Sequence, residues 1–368
     1  MNINRSVWRH FDIWLTAAVL LLAGYSILMI RSAVTGAPAY EPLPIVQVRW
    51  AIIGFIIMLI FSAIDYRYLT SAHWYIYGTL VAALIFVVIG GQVNNDARRW
   101  IDLGFIEIQP SEFGRIFLAV TFAQFLANRR HKINRFTNTL TTLIYIGIPI
   151  GLIFLQPDLG MSILFIVIWF VMVWLAGLPL SHFLILGVVG LSAVGLVYPN
   201  LADYQKERIT TFINPEEADA ESVFNVDQAE ISVGSGGWFG KGYMQGTQSQ
   251  LGFLRVQHTD FIFSVITEEM GLIFGSLIVL SLMGFILWRI IRVAMLTPDP
   301  AGKYMTASIA VILFFQTTVN VGMNTRVLPV TGLTLPFVSY GGSSLITLFI
   351  SIGIVQSVLM RHRKQDFG

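Results

Sequence analysis

The sequence predicts an all-α, polytopic membrane protein with about ten transmembrane helices and one large extracytoplasmic loop between spans 7 and 8. Three observations predict it. Of 368 residues, 55% are hydrophobic and only 12% charged, with a mean hydropathy of +0.71, whereas a soluble domain carries roughly 25% charge. Ten apolar stretches have about the length needed to cross the bilayer, roughly 20 residues for about 30 Å of hydrocarbon. The Lys and Arg residues between them are biased to one side. Residues 1–368 therefore read as a single integral membrane domain.

The stretches lie at about 11–31, 45–64, 73–91, 111–127, 138–155, 159–177, 182–199, 261–292, 304–323 and 340–360. The first follows Arg5, Arg9 and His10, as a signal peptide would, and "GAPA" (36–39) resembles a cleavage site. Its apolar core exceeds the usual 7–15 residues or so, and more spans follow, so it reads as an uncleaved helix. A short polar break at 65–68 ends the second span, and the basic "NRRHKINR" (128–135) ends the fourth. "QPDLG" (156–160) and "GLPLS" (177–181) are Pro/Gly turns, so the fifth and sixth spans are tightly joined.

Orientation follows from the basic residues. With a cytoplasmic N-terminus, the inside segments hold Arg5, Arg9, Arg67, Arg129, Arg130, Lys132, Arg135, Arg289, Arg292, Lys303, Arg361, Arg363 and Lys364, thirteen of the 23. An even span count places both termini inside. The polar segments 92–110, 156–158, 200–260 and 324–339 then share the outer face. The segment 200–260 keeps Trp, Phe and Tyr among its glycines, so it reads as ordered and functional rather than as a linker. The segment 324–339 is too apolar for a free loop; irregular backbone at membrane depth survives only against protein or water, so it reads as a cavity wall.

Net charge is only +2, which gives no reason to expect a nucleic-acid partner, and the absence of cysteine excludes a thiolate nucleophile and Cys-based metal sites. Candidate chemistry gathers on the outer segments. Asp260 stands where polar loop meets apolar helix in "FLRVQHTDFIFSVITEEMG" (253–271), beside His258 and Thr259. A carboxylate there caps the helix, pairs with a base or faces a wet cavity. Glu268 lies nearly a whole number of helical turns from Asp260 and is the better candidate to share its face; either Glu268 or Glu269 could instead pair with a buried base.

"QPSE" (109–112) opens the fourth span, with Pro110 at a helix start, Ser111 as a candidate cap and Glu112 in the first turn, where the helix dipole favours negative charge. Arg115 is spaced to pair with Glu112 at i, i+3. Arg98 and Arg99 beside Trp100 either anchor at the headgroup level or bind an anionic headgroup or sugar. "GSGGWFGKG" (234–242) looks like a phosphate loop but fails the pattern: Ser235 stands where a glycine is needed, and Gly242 where Ser or Thr is needed. Its glycines read instead as shaping a re-entrant or interfacial loop.

Together "QPSE", "QPDLG", "GSGGWFGKG…GTQSQLGF…HTDFIFSVITEE" and "LPVTGLTLPFVSYGGSS" resemble the SEDS family (shape, elongation, division and sporulation) of bacterial cell-wall polymerases, in order and over nearly the whole chain. "GTQSQLGF" and the short termini are more similar to the elongation (RodA) branch than to the division (FtsW) branch. Arg255 and Val256 depart from the family's common Pro-Glu, and Arg115 stands where Lys is common.

The resemblance implies a peptidoglycan glycosyltransferase in the bacterial cytoplasmic membrane that polymerises lipid II at the outer face for elongation and rod shape. Asp260 matches the catalytic aspartate. Arg99, Arg115 and Lys241 are candidates to meet the departing pyrophosphate, with Mg²⁺ or Mn²⁺ as a candidate helper; Trp100, Glu112, His258 and Thr259 complete the implied substrate-binding set. The implied partner is a class B penicillin-binding protein that supplies cross-linking, in a setting of membrane lipids. Two other functions fit the same residues: a flippase or transporter of the lipid-linked precursor, and a non-enzymatic scaffold that would leave Asp260 dispensable.

Overall fold

The computed structural model describes residues 8–94, 97–102 and 107–361. Arg5, Arg363 and Lys364 of the orientation argument lie outside the described residues, and so does the side chain of Arg98. The first seven apolar stretches fold as α1 (Ile13–Ala33), α2 (Leu43–Ala63), then after a short α3 (Tyr66–Ser71), α4 (His73–Gly90), α5 (Pro110–Ala127), α6 (Phe136–Phe154), α7 (Leu159–Leu175) and α8 (Leu180–Val197). The long polar segment contains α9 (Asp203–Ile213), α10 (Ala220–Ser235) and α11 (Thr247–Gln250). The eighth stretch holds α12 (Ile262–Gly271) and α13 (Ile278–Leu296), and α14 (Pro300–Asn324) and α15 (Gly342–Arg361) complete the chain. Among the described residues, seven helical stretches are long and apolar enough to cross a membrane.

Local chemistry sets several of the ends. Asp12, Asp158 and Asp299 cap α1, α7 and α14, each accepting from a backbone N–H of the first turn. Asp12 also pairs with Arg289 of α13 at 2.5 Å, tying the first helix to the eighth stretch. Ser111 does not cap α5: the capping position is Gln109, without a side-chain bond, and Pro110 pre-sets the first turn. α5 is central, packed against α4 and α14. It is therefore sheathed by protein, and it buries Ser111, Glu112, Arg115 and Thr121 as well as its apolar residues.

The polar segment 92–110 contributes a small antiparallel sheet of β1 (Gln92–Asn94), β2 (Ala97–Asp102) and β3 (Glu107–Ile108), in that order, to an otherwise helical fold. One expectation is corrected. The stretch 261–292, read as one helix, is broken. Gly271 takes φ +73° and a π-helical turn, Leu272–Leu277, separates α12 from α13.

The glycine-rich "GSGGWFGKG" docks on that break, backbone to backbone. Lys241 and Gly242 N–H groups donate to the Glu268 and Glu269 carbonyls at 3.0 and 2.9 Å, while Leu272 and Ile273 donate to the Gly237 and Trp238 carbonyls at 2.9 and 3.1 Å. A Cβ on Gly236 would stand 1.9 Å from the Thr267 carbonyl oxygen, and one on Gly240 would stand 2.1 Å from that of Glu269. These glycines exist because two main chains approach closely, not because they cradle phosphate. Segment 325–341 is irregular and inserted among the helices, with Leu333, Leu335, Phe337 and Val338 buried.

Candidate active site

Asp260 precedes α12 instead of lying in it. The cap position is Phe261, and no side chain caps that helix. The argument that paired Asp260 with Glu268 along one helical face therefore does not apply. The Asp260 backbone is fixed from α14. Its carbonyl accepts from Asn324 Nδ2 at 3.0 Å and Asn320 Nδ2 at 3.2 Å. Asn324 Oδ1 accepts from Ser264 N at 3.1 Å and Ser264 Oγ at 2.7 Å, so one amide grips both the carbonyl of Asp260 and the first turn of α12. Both asparagines are fully buried. The Asp260 carboxylate is left free of capping duty and faces a cavity.

That cavity has a volume of about 580 Å³. Four polar segments distant in the sequence converge on it: Arg99, Trp100 and Glu107 from the sheet region, Asp158 from the start of α7, Arg208 from α9, His258, Thr259 and Asp260 from the strap before α12, and Gly332 to Thr334 and Tyr340 from the inserted segment. Gly332, which lies between the cation and the acid, takes φ +76°, the left-handed backbone that favours glycine; a Cβ there would make only ordinary contacts, at 3.4 Å with Arg208 Nη1 and 3.8 Å with Asp260 Oδ2. Arg99 is held in place: it donates to the carbonyls of Gln156 and Pro157 and, at 2.5 Å, to Tyr204 OH, which itself donates to Pro157. Arg208 lies over the same Tyr204 ring at 5.6 Å.

On the floor, Glu112 pairs with Arg115 at 2.6 Å. Glu112 lines the cavity; Arg115 is fully buried beneath it and donates to Ser344 Oγ at 3.1 Å. Opposite, the His258 ring lies tilted against Tyr40 and edge-on to Tyr340, at 4.9 and 5.8 Å between centroids. Ser339 Oγ donates to the Thr259 carbonyl at 2.6 Å. Burial pushes the Asp260 carboxyl above its ordinary range, while Arg208 and, more weakly, Arg99 pull it back. Burial lowers the His258 imidazole, favouring its neutral form.

Six of the eight residues singled out in the sequence therefore line one cavity: Asp260, Arg99, Trp100, Glu112, His258 and Thr259. Arg115 lies under it. Lys241 does not reach it. Its Nζ bonds Glu268 at 2.8 Å and Thr247 Oγ1 at 2.7 Å, and Glu268 also accepts from the backbone N–H groups of Gln248 and Ser249. This is a buried pair that fastens the glycine loop and α11 to α12. Sequence reasoning missed Arg208, Tyr204, Asn320 and Asn324. The two asparagines carried a usable signal, amides at i, i+4 in an apolar helix; Arg208 carried none among the charges of a long polar segment.

The FtsW/RodA/SpoVE family, described as cell cycle proteins, matches residues 9–364. The chain belongs to that family. Its similarity to the Escherichia coli (strain K12) peptidoglycan glycosyltransferase MrdB is 36% identity over 356 residues, 96% of this chain and 95% of that one. It is also similar to a chain from a structure described as showing coordination of polymerization and crosslinking by a peptidoglycan synthase complex, with a TM-score of 0.82 and 29% identity, covering 96% of this chain and 99% of that one. A crystal structure of the Thermus thermophilus rod shape determining protein RodA superimposes with a TM-score of 0.73 at 28% identity, covering 96% and 98%.

Two of the three departures from the common family pattern, Arg255 and Val256, fall on the strap that carries Asp260; the third, Arg115, lies in α5. Arg255 is exposed and ion-paired with Glu221 of α10. Val256 takes φ +51° and its carbonyl accepts from the N–H groups of Thr259 and Asp260 at 3.2 Å each. The turn that presents the acid is thus built on a β-branched residue in left-handed conformation, a strain of about 1–2 kcal/mol. It is tolerated because Asn320 and Asn324 hold the other end of the strap.

Proposed function

We propose that this protein is a peptidoglycan glycosyltransferase that polymerises lipid II into glycan strands at the outer face of the cytoplasmic membrane, in the elongation role that its likeness to MrdB and RodA supports. All ten helical stretches cross the membrane, both termini are cytoplasmic, and residues 200–260 lie outside, as the Lys and Arg bias requires. The observation that carries the reading is Asp260: one carboxylate, positioned by two buried amides, facing a cavity with Arg99 and Arg208.

The chemistry follows from the charges. The donor is a lipid-linked pyrophosphoryl sugar. The acceptor hydroxyl attacks its anomeric carbon, and Asp260 accepts the hydroxyl proton as the new C–O bond forms. The bond to the pyrophosphate breaks, its electron pair leaves with the phosphate oxygen, and the Arg99 and Arg208 guanidinium groups meet that charge. Glu112 and Arg115 brace the floor as an ion pair, with Arg115 Nε and Nη1 buried and without hydrogen-bond partners, and Trp100 offers a flat surface for sugar or headgroup.

Among the described residues, no three His, Asp or Glu side chains converge as a metal cage. Mg²⁺ typically binds through one or two carboxylates plus substrate phosphates, and Asp260 has the position to be such a carboxylate. Bound there, a divalent cation would neutralise charge on the leaving pyrophosphate. The partner is a class B penicillin-binding protein with one membrane span, docking on the outer half and supplying cross-linking. The test is direct: purified protein with labelled lipid II, in detergent where no second compartment exists, yields glycan ladders on a gel. No product longer than lipid II, with transport of lipid II in vesicles, would make the protein a transporter of the precursor instead.

A further inference from the structure

Asp260 and Arg208 line two chambers. Besides the cavity of about 580 Å³, a second of about 180 Å³ lies behind the same pair, between α9, α10 and the segment after α14. Its chemistry differs. Apart from the shared pair, its walls are apolar or neutral: Phe212, Phe261 and Pro329, interrupted by Thr211, Ser222 and Asn225. The further cation at its edge, Arg326, is engaged by Asp227 at 2.5 Å and Glu230 at 3.3 Å. Asn225 donates through Nδ2 to the Glu221 carbonyl, but its Oδ1 is buried and has no hydrogen-bond partner. A buried acceptor of this kind costs free energy until a donor reaches it.

We propose that the two chambers divide the labour of one transfer: the larger holds the sugar that loses pyrophosphate, and the smaller holds the uncharged sugar whose hydroxyl attacks. The proposal rests on the transferase reading. Displacement at an anomeric carbon brings the attacking oxygen in on the face opposite the leaving group. The acid that takes the hydroxyl proton must therefore stand between the two sugars, and Asp260 opens onto both chambers. The larger chamber holds the Arg99 cation and the polar floor suited to pyrophosphate. The smaller offers apolar surface for a sugar ring and an unused acceptor, Asn225 Oδ1, for one of its hydroxyls. The atoms balance as before: the hydroxyl proton goes to Asp260, its oxygen to the anomeric carbon, and the pyrophosphate leaves with the bonding pair.

The two roles separate with half-substrates, used with the full chain in detergent. The donor probe is lipid II with its attacking hydroxyl methylated; the acceptor probe is lipid II with its anomeric oxygen replaced by CH₂, so that it cannot leave. Wild-type protein couples them once. Asn225→Leu, nearly isosteric, removes the buried acceptor; it raises the KM for the acceptor probe about tenfold, the equivalent of one buried hydrogen bond, and leaves the donor KM within about twofold. Thr211→Val acts in the same direction, and Ser222→Phe, which fills the chamber, abolishes coupling while the donor probe still binds. Unchanged melting temperature for Asn225→Leu and Thr211→Val separates site from fold. A rise in donor KM instead, or no change in either KM, overturns the assignment and leaves the transferase intact. A wild-type protein that makes no glycan from lipid II overturns both.

Discussion

Asn324 is the residue whose replacement separates positioning from packing. Asn324→Leu keeps the volume and removes five hydrogen bonds: Nδ2 to the carbonyls of Asp260 (3.0 Å) and Asn320 (2.8 Å) and, weakly, to Asn320 Oδ1 (3.4 Å), and Oδ1 from Ser264 N (3.1 Å) and Oγ (2.7 Å). Not all of that is lost. The Asp260 carbonyl retains Asn320 Nδ2 at 3.2 Å, and Ser264 N retains the Phe261 carbonyl at 3.1 Å. With about 1 kcal/mol net per bond and partial compensation, the expected destabilisation is about 2 kcal/mol. The effect on chemistry is larger than that would suggest. The carboxylate sits on a strap that Val256 already strains, and a displacement of about 1 Å at a reacting group costs on the order of 100-fold. The substituted protein should therefore keep its KM for lipid II and lose about 100-fold in kcat. Asn320→Leu with Asn324→Leu should lose less than the product of the two single effects, because both amides hold one carbonyl. A variant with lowered melting temperature but wild-type kcat would refute the positioning argument and return Asn324 to helix packing.

Three further predictions follow from the geometry. A base must be ionised to accept a proton, so kcat/KM should fall as pH drops through the raised pKa of Asp260; Arg208→Gln removes the charge that lowers this pKa, and should move the acid limb to higher pH, which a pH–rate profile reads. Lys241→Met leaves Glu268 buried without its cation and should cost about 3 kcal/mol in thermal stability, the low end for a broken buried pair because the lysine is 26% exposed, with little change in the KM for lipid II. For topology, a cysteine at exposed Glu217 should label with an impermeant thiol reagent in cells lacking an outer-membrane barrier, and one at exposed Asn134 should not; the reverse pattern would put Asp260 in the wrong compartment.

How much was legible depends on what hydropathy and spacing encode. Apolar length locates helices because the bilayer core has one thickness: nine of the ten stretches fold as single helices close to those bounds, and the eighth folds as two joined by a π-helical turn. The side-bias of Lys and Arg put four distant polar segments on one face, and those four build the cavity. Pairing across helices is not encoded that way. Glu268 is a companion to Asp260 only if the helical register of the 261–292 stretch extends back through the acid; the helix starts two residues after it, and the Glu268 carboxylate meets Lys241 from a loop that sequence spacing cannot aim. Gly271 is invisible to a hydropathy sum, since its effect is a backbone turn rather than a loss of apolar area. Arg208 enters only when α9 folds back over the strap before α12.

The central claim, that Asp260 is the proton acceptor of a glycosyl transfer, is tested most directly by Asp260→Asn in the lipid II polymerisation assay. The side chain does not cap α12, and its backbone bonds to Asn320 and Asn324 survive the change, so the variant should fold and melt as the wild type does. Losing a general base removes about 10²–10⁴-fold in rate, so it should make essentially no glycan while still binding lipid II. Glycan ladders from Asp260→Asn at near wild-type rate would contradict the account.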